Sequence, residues 1–181
     1  GLAVALGLTQ FVLNFNLFYR AEVHLTSGIV AVLFAMLMLP NAVLGRIVLG
    51  ARVSPRFLLG TAIALVGIAM LLVHESRSVA TGSNVALGVG LAMLAILAAS
   101  SANVMQVTPL AQGAPIPPLL AWAMLWGTLV DAAVAWASAG PPVLPASGRY
   151  WAGIAYLGLI GSAVSFPLHF RLLRDLGPAR G

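Results

Sequence analysis

Positions 78 to 130 read SVATGSNVALGVGLAMLAILAASSANVMQVTPLAQGAPIPPLLAWAMLWGTLV, with no charged side chain between Arg77 and Asp131. The reading of this stretch decides the fold. A helix crosses the roughly 30 Å hydrocarbon core of a bilayer in about 20 residues, so one helix cannot use all of it. Pro109, Pro115, Pro117 and Pro118 divide it, because a helix interior does not hold a proline without losing a hydrogen bond. Two spans result, 84–107 and 118–138.

Working outward, the same rule finds four more spans. They are 1–19, closed by Arg20; 25–49, bent at Pro40; 57–73, between Arg56 and the His74-Glu75 pair; and 150–172, after a break at Gly140, Pro141, Pro142 and Pro145. The runs are apolar on both parities, which excludes the alternating strands of a membrane barrel. A backbone in lipid has no water to satisfy it, so the spans are helices. The expected fold is an all-α polytopic transmembrane helical bundle with short connections. Composition agrees: 61% of residues are hydrophobic and 7% charged, against roughly a quarter charged in a soluble domain. Such a chain cannot cover itself for water, which excludes a cytosolic enzyme.

The nine basic residues are all arginine and sit singly between apolar runs, so no nucleic-acid partner is expected. With no cysteine, thiolate chemistry and disulfides are excluded. Three histidines and four acids show no converging metal-ligand spacing, and no cofactor is expected. Gly1 already lies in an apolar run without a basic leader, and we read the chain as part of a longer protein rather than as beginning with a signal peptide.

Arginines set the orientation. Arg20, Arg77 and Arg149 fall on one side of the six spans; Arg46, Arg52, Arg56, Arg171, Arg174 and Arg180 fall on the other. The second side is expected in the cytoplasm. Trp122 then lies near the inner interface, and Trp136, Tyr150 and Trp151 near the outer one.

An offset of 151 positions lays the first span on the sixth. Leu6-Gly7-Leu8 falls on Leu157-Gly158-Leu159, Phe15 on Phe166, Leu17 on Leu168, Arg20 on Arg171 and Leu25 on Leu176. Five helices separate the two copies, so the second enters the membrane upside down. Inverted repeats of this kind mark secondary transporters, whose halves rock about a site near the bilayer midplane.

The run from Asn16 to Gly28, the following apolar helix with Pro40, and Gly60 to Gly67 resemble EamA-type members of the drug/metabolite transporter superfamily. So does Tyr156 to Ser162, leading through Phe170-Arg171-Leu172-Leu173 to Leu176-Gly177-Pro178-Ala179-Arg180. The resemblance covers nearly the whole chain. It implies a ten-helix inverted-repeat fold in which residues 1–83 end the first five-helix unit and 84–181 begin the second. The six spans then correspond to the third through eighth helices.

Polar side chains inside spans are costly and mark pathways or interhelical bonds. Gln10 and Asn14 lie one turn apart on one face of the first span, with Asn16 near its outer end. Ser100, Asn103 and Gln106 follow at three-residue steps on the fourth; Asn103 is the first pathway candidate, and Gln106 is expected nearer the interface. Asp131 is the one acid inside a span and is suited to a proton or a cationic group. Glu22 and His24, in the first turn, are candidates for a gate or proton coupling, against a solvated turn as the plainer reading. Pro40 and Pro167 are candidate hinges, or else fixed bends. Gly60, Ala64 and Gly67, and Gly158, Gly161, Ser162 and Ser165, form ladders expected to pack helices closely.

The expected function is a secondary transporter moving a small polar metabolite or drug-like compound by alternating access, an exporter by resemblance, in a bacterial inner (plasma) membrane. Its partners are that small molecule and the lipid bilayer, with a homodimer compatible. No phosphate-cradling motif points to ATP. The alternatives are an intramembrane serine protease or lipid-modifying enzyme using Ser27, Ser162 or Ser165 with His24 or His169, or an inactive truncated membrane fragment.

Overall fold

The computed structural model describes residues 1–51, 53–78 and 84–177, and of residues 75–78 the backbone alone. Six long helices carry the fold: α1 Leu2–Glu22, α2 Ser27–Leu49, α3 Pro55–Ser78, α4 Val85–Val107, α5 Ile116–Ala139 and α6 Gly148–Leu176. Each is long and apolar enough to cross a membrane, and the chain is a multi-pass membrane protein. Arg52 and Arg180 of the orientation count lie outside the described residues, as does the segment from Pro178; the Arg77 and Glu75 side chains are likewise outside them.

Local chemistry sets the helix ends. The Asn84 Oδ1 accepts from the Leu87 N–H at 3.0 Å and caps α4. Pro117 and Pro118 sit in the first turn of α5, where their missing N–H groups cost nothing. Gly50, at φ 67°, closes α2 in the left-handed region. Within α2, Pro40 has no N–H for the Met36 carbonyl, which is taken by the Leu39 N–H at 2.8 Å instead. The helix accordingly breaks into a turn at Met36 and Leu37, one turn before the proline.

Contacts fix the directions. Gly7 lies against Ala123 and Gly127, Phe11 against Gly127, and Asn16 bonds to Asp131, so α1 and α5 run parallel. Gly88 lies against His24 and Leu25, while Leu6 shares a core cluster with Ala102, so α1 and α4 run antiparallel. Asn103 meets His169 and Gln106 meets Arg174, which makes α4 and α6 parallel. α1 and α6 therefore run in opposite directions. α4 is the hub, buried along one face from Gly88 to Gln106. One apolar cluster joins Leu6, Phe11, Ala102, Leu120, Ala123, Phe170 and Leu173; a second joins Ala21, Leu25, Ile29, Val30, Leu33, Ala92 and Ile96.

Two stretches of helix widen to π geometry, Gly7–Leu13 in α1 and Leu157–Val164 in α6. At the 151-residue offset the first falls on 158–164. They differ in surroundings. Gly7, Gln10 and Phe11 are buried, whereas every residue from 148 to 161 is exposed.

The small-residue ladders require a correction. A Cβ built on Gly60, Gly67 or Gly158 would meet nothing within 4 Å, and one on Gly161 would touch only Leu157 of its own helix. The glycines at close approaches are others. A Cβ on Gly7 would fall 2.5 Å from the Ala123 carbonyl oxygen, one on Gly127 would fall 2.8 Å from the Phe11 Cβ, and one on Gly88 would fall 2.7 Å from Leu25 Cγ. Small residues permit close packing without choosing where a partner lies.

Candidate functional site

Polar side chains occupy successive levels of the bundle around α4. At the end of α4, Arg174 donates from Nη2 to the Gln106 Oε1 at 3.1 Å and from Nη1 to the Ala114 carbonyl at 2.8 Å. Its guanidinium ties α6 to both α4 and the α4–α5 connection. Gln106 is the last residue but one of α4 and is fully buried by protein. An arginine arriving from another helix supplies the acceptor's partner that the interface would otherwise have supplied as water.

One turn deeper, the Asn103 Nδ2 donates to the Asn41 Oδ1 at 3.4 Å, and the Asn103 Oδ1 lies 3.3 Å from the His169 Nε2. An amide oxygen only accepts, so this contact is a hydrogen bond in the tautomer that carries its proton on Nε2. Asn103 thus links α2, α4 and α6 through one side chain with 1% exposure. Asn41, which the sequence reading passed over, belongs to this center. Its signal was present: an amide beside Pro40 inside an apolar span obeys the rule that selected Asn103.

Ser100 lies a further turn along α4, fully buried, and its Oγ has no hydrogen-bond partner. The antiparallel register brings Gln10 of α1 to about this level. Gln10 and Asn14 are both buried, and the Gln10 Oε1 and Asn14 Oδ1 are unpartnered, as are the Gln106 Nε2 and the Arg174 Nε. A buried polar atom without a partner costs about 1–3 kcal/mol, which makes these side chains the candidate site. Gln10 falls within the π-helical stretch of α1, a geometry that recurs at functional positions.

Nearer the other end, the Asn16 Nδ2 donates at 2.8 Å both to the Asp131 Oδ1 and to the Val12 carbonyl. Asp131 is half-buried, eight residues before the end of α5 at Ala139. Glu22 and His24 are half-buried at the end of α1, His24 beside Gly88, away from the Asn103 center. Pro40 lies next to Asn41, and Pro167 next to the π-helical stretch of α6, so both hinge candidates adjoin irregular backbone.

Of the enzyme candidates, the Ser165 Oγ donates to the Ile160 carbonyl, while the His169 Nε2 faces Asn103. No serine hydroxyl bonds to His24 or His169 among the described residues. Among them, too, no group of three His, Cys, Asp or Glu side chains could hold a metal ion.

Comparison with known proteins finds no matching family model, no matching curated protein and no matching solved structure. The site is therefore read from its own chemistry.

Proposed function

We propose that this chain forms part of a secondary carrier of the EamA drug/metabolite type, which moves a small polar compound across a bacterial inner membrane by alternating access and exports it from the cytoplasm. The observation that carries the reading is the column of polar levels. From Gln106 to Ser100 is roughly 9 Å of helix, and from Gln10 to Asn16 roughly 9 Å more, at about 1.5 Å per residue. Polar side chains, buried or half-buried, thus occur through about 18 Å of the roughly 30 Å hydrocarbon core. A purely structural bundle has no use for so many unpaired groups at such cost, whereas a pathway does.

The opposite directions of α1 and α6, and the π-helical stretches at matching positions in both, support two inverted units, the arrangement that lets halves rock about a shared site. The arginine bias supports a cytoplasmic α2–α3 turn and α6 end. Amides offer both donors and acceptors, which suits an uncharged or zwitterionic polar cargo. The chain acts as a carrier and not as an enzyme.

Reconstitution in liposomes tests this. Uptake of a panel of polar metabolites, with and without a pH gradient, is expected to exceed that of empty vesicles, and Asn103→Ala is expected to lower it while the protein still inserts. Flux no greater than in empty vesicles across the panel, or unchanged flux in the variant, overturns the reading.

A further inference from the structure

Phe15, Asn16, Tyr19 and Arg20 of α1, with Asp131 and Ser138 of α5, line a recess of about 370 Å³ at one end of the bundle. It contains both signs of charge in a fixed order. Asp131 lies inward, roughly 12 Å from the end of α5 at about 1.5 Å per residue, while Arg20 lies at the mouth, one turn beyond Asn16. Asn16 holds the carboxylate by its Oδ1 at 2.8 Å, and Arg20 and Tyr19 are both exposed. The Phe15 and Tyr19 rings line the same recess, stacked with centroids 6.4 Å apart.

We propose that this recess binds a short zwitterion, ammonium end first. The ammonium meets the Asp131 carboxylate and the faces of the two rings, and the trailing carboxylate or phosphate meets Arg20. A charge-assisted bond and a cation–π contact both favour an ammonium at the inner position. A volume of this size, near the lower end for ligand pockets, suits a small molecule. A free zwitterion and the headgroup of an aminophospholipid share this chemistry, but they present it in opposite order. A lipid in the leaflet carries its phosphate deeper than its ammonium, against the order of Asp131 and Arg20. The recess therefore selects the free molecule. This binding stands on charge order and shape at one end of the bundle and does not depend on the polar column carrying cargo.

Saturation-transfer NMR on the protein in nanodiscs tests the proposal, with γ-aminobutyrate as the probe and butylamine and butyrate as its single-charge halves. γ-Aminobutyrate is expected to bind at least about tenfold more tightly than either half, a difference set by the second charge contact. Asp131→Asn, which keeps the oxygen for Asn16, is expected to abolish binding. Arg20→Gln, at an exposed position, is expected to remove the preference for γ-aminobutyrate over butylamine. Arg149→Gln removes an exposed arginine at the same end and is expected to change nothing. Equal binding of butyrate and butylamine, wild-type affinity in Arg20→Gln, or loss of the γ-aminobutyrate signal in phosphatidylethanolamine nanodiscs but not in phosphatidylcholine ones, overturns it; the last result assigns the recess to lipid.

Discussion

The two π-helical stretches share a backbone geometry and an opening Leu-Gly-Leu, but not their surroundings. In α1, Gly7 and Phe11 press against Ala123 and Gly127 of α5, and Gln10 is buried. In α6, none of residues 157–164 is buried, and a Cβ on Gly158 would meet nothing. Tight packing is therefore not what widens the helix, since the geometry occurs with it and without it. Beyond these stretches both helices dock on α4: α1 through Ala21, with Leu25 just past its end, and α6 through Phe170, Leu173 and Arg174. The difference separates a property of the local chain from a property of its neighbours.

The largest effect that sharpens this comparison is expected from bulk at the docked stretch. Gly7→Leu places side-chain atoms on the Ala123 and Gly127 backbone, which cannot give way as a flexible side chain would, and is expected to cost about 3 kcal/mol or more. Gly158→Leu, the same change at the matching position, is expected to stay within about 0.5 kcal/mol. Thermal unfolding in detergent micelles reads both, and equal losses would break the contrast.

Next in size is the polar center on which α6 docks. Asn103→Leu leaves the buried Asn41 and the half-buried His169 without their partner and is expected to destabilise by about 1–3 kcal/mol. If the loss were near zero, the α6 end would not be held by this center.

A smaller loss, roughly 1–2 kcal/mol, is expected for Arg174→Met, which keeps the aliphatic stem but removes the bonds to Gln106 and Ala114. Hydrogen exchange at residues 165–176 is expected to rise more than exchange at residues 14–22, since the α1 stretch docks without Arg174. A loss of about 1 kcal/mol is expected for Asn84→Ala, which removes the α4 cap and touches neither π-helical stretch. Together these variants order the molecule by what holds each part.

The six spans were legible because their signal is a count of apolar residues between charges and prolines. Asn84, Pro40 and the Pro117-Pro118 pair act where the sequence puts them. The polar residues were legible as a set: Gln10, Asn14, Asn103 and Asp131 are each half-buried or buried, as an amide or acid inside a span should be. Their pairings were not. That Asn16 would bond Asp131, or that Arg174 would draw Gln106 into the core, depends on helix rotation and register, which no run length encodes. The ladders show the same limit. Gly60 and Gly158 look as suited to close packing as Gly7 and Gly127, and only the latter two have a helix against them.

What the sequence determined alone is the number of crossings and their alternating direction, because a backbone in hydrocarbon must satisfy its own hydrogen bonds and can do so within each helix. What only the tertiary structure decided is which faces meet: the hub role of α4, the glycines that touch and the amides that pair. Those outcomes rest on the relative azimuth of separate helices, a quantity set by packing between distant parts of the chain rather than by any one segment.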